Sequence, residues 1–231
     1  MHTNSEKFLT TFTRIEKELK SMMSHEDAGF SRMVKILRDY NGIVKRYGDD
    51  LLEFAALRNA IVHNKIDMSY AIAEPHDSVV KRIEDIEREL TQPEEVVPLF
   101  ARKVYTFQET ETLSSLLRVV HEKAFSKFPI YNGEDFKGLI TQKGITNWIA
   151  SNVETDELPT METTLSEVLR FEERGNYKFI KSNTAVLEAV AFFREQIGRG
   201  IRLEALLITS NGQSTEKPAG IITAWDILEI P

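Results

Sequence analysis

The sequence predicts a two-domain α+β protein, with an N-terminal all-α helical bundle followed by a mixed module built twice. Three observations carry this. The 231 residues are enough for two domains of ~100–150 residues each. The texture of the chain changes near Thr91-Gln92-Pro93, and the second half repeats one helix–strand–turn–strand unit. Composition is globular, with 42% hydrophobic and 28% charged residues. A net charge of −7 excludes a protein that coats nucleic acid by bulk charge, though not a local phosphate site. The absence of cysteine excludes disulfides, cysteine–zinc and iron–sulfur sites and thiol catalysis. No run approaches the ~18 apolar residues of a membrane span. MHTNSEKFLTTF lacks the basic-then-apolar order of a signal peptide, so the expectation is a soluble cytoplasmic protein with no membrane partner.

In chain order, the first helix carries Phe8, Phe12, Ile15 and Leu19 at steps of three and four, after the polar start Thr3-Asn4-Ser5. A second holds Phe30, Met33, Val34 and Leu37, with Asp27 as cap, Gly48 as stop and Asn41-Gly42 as a break midway. A third runs from about Asp50 to Asn64, and a fourth from Ser78 to Leu90 through Val79, Ile83 and Ile86. Amphipathic helices need partners to cover their apolar stripes, so residues 1–92 read as a small bundle. Beyond Pro93, strand-like runs appear at Lys127–Tyr131, Phe136–Ile140, Ala205–Thr209 and Gly220–Ile222. Asn132-Gly133 and Asn211-Gly212 signal tight turns between strand pairs. Residues 1–92 hold 14 basic and 16 acidic side chains, so −5 of the net −7 falls on residues 93–231, and neither half is a basic arm.

The repeat spans residues 112–145 and 185–227. Each copy ends a strand in Gly-apolar-Ile-Thr and turns into a new helix: GLIT then QKGI, and GIIT then AWDI. From Leu113 to Thr141 is 28 positions and from Val186 to Thr223 is 37, the excess lying in the approach to the strand and in the hairpin, where insertion is tolerated. Trp148 and Trp225, near the helix starts after these strands, read as packing residues.

Together with the helix opening Thr184-Ala185-Val186-Leu187-Glu188-Ala189, this arrangement resembles a CBS-domain pair, the Bateman module. The resemblance covers residues 93–231, with copies at about 95–152 and 160–231, and implies a tandem β-α-β-β-α fold. A strand ending at Thr223 and turning into a helix offers backbone N–H groups and a hydroxyl to a phosphate. Asp226, three residues on, can accept two hydrogen bonds from ribose hydroxyls. The resemblance implies that this Thr-x-x-Asp holds AMP, ADP or ATP as a regulatory ligand. It maps the adenine pocket onto Tyr105, Phe125, Ser126 and Lys127, with Lys127 near phosphate. The first copy has Gly144 where the aspartate should be, so at most one well-formed site is expected per chain. A threonine three residues before an acid is also an ordinary helix cap, and that reading stays open.

In the third helix, LRNAIVHN carries Arg58, Asn59 and His63. At about 100° per residue they fall at about 0°, 100° and 140°, opposite a buried arc of Phe54, Leu57, Ala60 and Ile61 and interrupted only by Val62. An arginine to hold phosphate oxygens and a histidine to move a proton suit attack by an RNA 2′-hydroxyl without metal. The other histidines, His2, His25, His76 and His121, show no metal-ligand spacing, and no metal is expected. RNAIVH is similar to the motif of HEPN domains, which pool Arg-x-x-x-x-His across a two-fold axis. That resemblance implies an endoribonuclease with an RNA substrate or, where catalysis has been lost, a dimerising bundle. Two functions follow: a nucleotide sensor controlling a dimeric HEPN-like domain, or a non-catalytic scaffold. Symmetric pairing, as a homodimer or a dimer of dimers, is expected in both.

Overall fold

A computed structural model describes residues 3–23, 28–63, 74–154 and 162–228. The chain divides into two compact units, one of Met1–Glu94 with Val186–Glu188 and one of Glu95–Ala185 with Ala189–Pro231.

The first unit contains α1 (Asn4–Met22), α2 (Phe30–Leu37), α3 (Gly42–His63) and α4 (Asp77–Thr91). Thr3 caps α1 in a reciprocal pair with Glu6, so the polar start satisfies the free N–H groups of the first turn. His76 caps α4 through its ring nitrogen, which accepts from the Ser78 N–H at 3.3 Å. Phe8, Ile15 and Leu19 of α1, Met33 and Val34 of α2, Leu51 and Ile61 of α3 and Ile83 of α4 form one buried core. Val80 rather than Val79 is the buried valine of α4.

Two sequence expectations need correction. Gly48 does not stop a helix, and the third helix begins at Gly42 rather than near Asp50. The break falls at Asn41, whose side-chain oxygen accepts from the N–H groups of Ile43 and Val44 at 2.9 and 3.0 Å. A Cβ on Gly48 would overlap the Arg38 guanidinium, so the missing side chain makes room for Arg38 and its ion pair with Asp49. The Asp27 cap lies outside the described residues.

The second unit begins with the short α5 (Val96–Leu99). Then come β1 (Phe107–Gln108), α6 (Leu113–Lys123), β2 (Lys127–Asn132), β3 (Asp135–Thr141), α7 (Gln142–Glu154) and α8 (Leu165–Val168), followed by a 3₁₀ turn at Leu169–Phe171. The second copy supplies β4 (Tyr177–Lys181), α9 (Val186–Gly198), β5 (Ala205–Thr209), β6 (Gly220–Ile222) and α10 (Ala224–Leu228). Each copy makes a three-stranded sheet, ordered β1-β2-β3 and β4-β5-β6, with the first pair parallel and the second antiparallel. A parallel pair needs a crossover helix, and α6 and α9 serve as that crossover. The edge strands β1 and β4 were not among the strand runs read from the residues. Gln108 is exposed, and in β4 Lys178 and Lys181 are exposed with Ile180 its one buried residue, so neither gives a continuous apolar signal.

The registers align the copies. Thr141 ends β3 opposite Lys127, and Thr223 follows Ile222, which pairs with Leu206. Both Gly-apolar-Ile-Thr endings therefore deliver a threonine to the start of the next helix. Asn132-Gly133 makes the expected tight connection, since Asn132 pairs with Asp135. Asn211-Gly212 instead opens a longer loop over residues 210–219, where Glu216 accepts from the Asn211 backbone and side chain, both at 2.8 Å. Trp148 is buried with Leu113, Phe128 and Val168. Trp225 is 78% exposed and does not pack, because α10 presents it outward.

Candidate functional site

The end of β6 places Thr223 beside Asp226 in the first turn of α10. Asp226 Oδ2 accepts from the Thr223 N–H and from its hydroxyl, both at 2.7 Å. This is the capping contact that the sequence left open. A third group closes on the same carboxylate. Arg102 donates from Nη1 to Oδ1 at 3.0 Å and from Nη2 to Oδ2 at 2.7 Å, a two-pronged pair. Burial pushes the Asp226 carboxyl up, but the bonds from Arg102 and Thr223 outweigh it and hold it below the ordinary aspartate value.

Arg102 and Thr223 line a cavity of about 160 Å³ together with Lys103, Tyr105, Ala124, Phe125, Ser126, Lys127 and Ile221. Three separated stretches converge here. Ala124 ends α6 in the left-handed conformation, φ 55 and ψ 25, which turns the chain so that Phe125 to Lys127 enter the wall. The Tyr105 and Phe125 rings lie 5.3 Å apart, and Lys103 Nζ sits 4.6 Å from the Tyr105 ring centroid. Of the six residues read as a pocket, Tyr105, Phe125, Ser126, Lys127 and Thr223 share this cavity. Asp226 joins it through Thr223 and Arg102. Lys127 Nζ faces Glu204 Oε2 at 3.3 Å, so the cation on the carboxylate is Arg102.

The first copy solves the same problem differently. Thr141 gives its N–H to Glu172 Oε1 at 2.5 Å, and its hydroxyl lies 3.1 Å from both Glu172 oxygens. Glu172 follows the 3₁₀ turn and takes the place that an aspartate at position 144 would fill. A Cβ on Gly144 would overlap its carboxylate. Asn176, which is buried, donates to Glu172 Oε2 at 3.1 Å. Burial raises the Glu172 pKa, and the nearby Glu204 charge adds to the rise against the opposing bonds from Thr141 and Asn176. The sequence reads Gly144 as a missing acid; in the structure a carboxylate from a distant stretch of chain, Glu172, meets Thr141 instead.

Residues 96–151 match the CBS domain family. This CBS match falls on the first copy and does not reach residues 1–92. Among solved structures, the chain is similar to the CBS domain of a CBS domain containing membrane protein from Sphaerobacter thermophilus, at 17% identity and a TM-score of 0.47, covering 66% of this chain and 98% of that one. It is similar to a conserved CBS domain protein from Thermoplasma acidophilum, at 16% identity and a TM-score of 0.45, covering 61% and 70%. A third, the CBS domain of a bacterial CNNM/CorC family Mg²⁺ transporter in complex with ATP, gives 15% identity and a TM-score of 0.40, covering 59% and 85%. No curated protein matches the chain.

In the first unit, Arg58 Nη1 donates to Asn59 Oδ1 at 3.3 Å. Both line a groove of about 310 Å³ with Phe12, Glu16, Phe30, Arg32 and Ala55. Ala55 is buried between the two on the helical wheel, so this side of α3 is partly packed rather than wholly solvent-facing. His63 ends α3, and its side chain lies outside the described residues. Among the described residues no cluster of His, Asp and Glu suits a metal ion, and no helix is long and apolar enough to cross a membrane. Arg102, Glu172 and Asn176 were absent from the sequence reading. A basic pair, Arg102-Lys103, just ahead of Tyr105 was the one available signal.

Proposed function

We propose that the CBS unit is a regulatory module that binds an adenine nucleotide, AMP, ADP or ATP, at the Thr223 cavity. The observation that carries this reading is the convergence of Tyr105, Phe125, Ser126, Lys127 and Thr223 on one cavity, with Asp226 bonded at its edge. Two aromatic rings suit a base, a carboxylate suits a ribose diol, and Arg102, Lys103 and Lys127 suit phosphate. At about 160 Å³ the cavity is smaller than the ~300–1,000 Å³ of most ligand sites, so binding requires side chains to move. The ATP complex of the CNNM/CorC relative lends the ligand class. AMP, ADP or ATP at 100 times its Kd should stabilise the protein by about 2.7 kcal/mol, seen as a raised Tm. Asp226→Ala should abolish that shift, and an undiminished shift in this variant overturns the assignment.

We infer further that the helical unit, residues 1–92, is the output of a homodimer, and two readings of it differ in chemistry. Arg58 and Asn59 on one groove favour an HEPN-like, metal-independent endoribonuclease in which Arg58 holds a phosphate and His63 moves the proton. Cleavage of mixed RNA in EDTA, leaving 2′,3′-cyclic phosphate ends and lost in His63→Ala, supports the enzyme. RNA left intact with and without nucleotide supports the scaffold, in which both units serve only in assembly. A nucleotide biases either output only if it prefers one arrangement of the dimer.

A further inference from the structure

We propose that Arg102 makes the Thr223 cavity selective for phosphorylated over unphosphorylated nucleosides, by exchanging the Asp226 carboxylate for the ligand's phosphate. The inference rests on the nucleotide reading above and adds the residue that decides what may enter.

The argument begins with acceptor capacity. A carboxylate offers about four lone-pair positions over two oxygens. Oδ2 of Asp226 already receives three donors: Arg102 Nη2, the Thr223 N–H and the Thr223 hydroxyl. Oδ1 receives Arg102 Nη1. A ribose diol needs two acceptors together, and while the guanidinium spans both oxygens only one lone-pair position, on Oδ1, is left. Any nucleoside that uses Asp226 must first displace Arg102.

What happens to the displaced guanidinium then sets the energetics. Arg102 lines the same cavity as the aromatic pair, so it stays beside the ligand. Its planar fork fits two phosphate oxygens as well as two carboxylate oxygens. With AMP, the two charge-assisted bonds lost from Asp226 are replaced by two to phosphate, and the diol takes the carboxylate. With adenosine the diol takes the carboxylate and the guanidinium keeps only water. The other two cations in the wall are differently placed. Lys127 faces Glu204, and Lys103 lies over the Tyr105 ring. Neither blocks Asp226, so only Arg102 couples diol capture to the presence of an anion. Thr223 keeps its two bonds to Asp226 when Arg102 leaves, so the start of α10 remains capped.

Isothermal titration of the full chain with AMP and with adenosine tests this. Wild type should bind AMP at least about tenfold more tightly than adenosine. In Arg102→Ala the two affinities should converge from both sides: adenosine tightens because the diol acceptor is free, and AMP weakens because its partner is gone. Arg102→Lys keeps the charge without the fork and should narrow the ratio, which carries the test should the alanine variant not fold. If Arg102→Ala changes both affinities in parallel, or leaves the ratio unchanged, the exchange is wrong while nucleotide binding stands. If wild type binds neither adenosine nor any of AMP, ADP and ATP, the nucleotide reading falls and this inference with it.

Discussion

At the end of β3, Thr141 gives its N–H and hydroxyl to a carboxylate from a residue 31 positions downstream; at the end of β6, Thr223 gives the same two donors to one three positions downstream. The donors are the repeated part and the acid is the variable part. Glu172 is half-buried, held by buried Thr141 and Asn176, and faces a second negative charge at Glu204. Asp226 is held by Arg102, whose side chain is 39% exposed. The comparison separates two uses of one motif: the first copy ties its acid to buried neutral donors, and the second pairs its acid with an exposed cation.

The largest expected effect breaks the first arrangement. Glu172→Ala leaves the Thr141 N–H without its acceptor and the Asn176 amide with only its long bond to the Leu139 carbonyl, and should lower unfolding stability by about 3 kcal/mol in urea titration. Asp226→Ala should lower it by only about 1 kcal/mol, the loss of an exposed pair and a cap. Equal losses would erase the distinction. Gly144→Asp should destabilise wild type, because the position is filled by Glu172, yet restore part of the loss in Glu172→Ala by rebuilding the acid of the second copy. That opposite sign is a coupling a double-mutant cycle reads directly.

A smaller effect concerns pH, where the two acids act in opposite directions. Glu172 titrates above the ordinary 4.5, so the folded state holds its proton more tightly than the unfolded one. Its contribution to stability therefore declines as pH rises from the ordinary value through the raised one, and Glu172→Gln should remove that decline. Asp226 titrates below the ordinary 3.8, so its contribution is present above that value and lost as pH falls through the lowered one. Asp226→Asn should remove this loss. Chemical unfolding of the two variants across the acid range should give difference curves against wild type of opposite slope.

Much of this site was legible in the residues because its parts are local. The Gly-apolar-Ile-Thr endings mark where strands stop, and Thr223 and Asp226 lie within one turn of each other. Arg102 meets Asp226 across 124 positions, so no spacing rule reaches it. Glu172 was hidden for the same reason, although Gly144 was read as a missing acid. The absence was visible and its replacement was not. Gly48 shows the complementary error. Read locally, a glycine after an amphipathic run is a stop; packed against Arg38, it is simply the residue that fits.

Trp225 and Trp148 give the molecule an optical gauge of its own. The chain has two tryptophans, one 4% exposed in an apolar core and one 78% exposed next to Asp226. Their emission separates by environment, the enclosed indole to the blue and the wet one to the red, and only the wet one meets a dissolved quencher such as iodide. Rearrangement around α10 therefore registers in the quenchable fraction alone, while Trp148 serves as an internal standard for an intact fold.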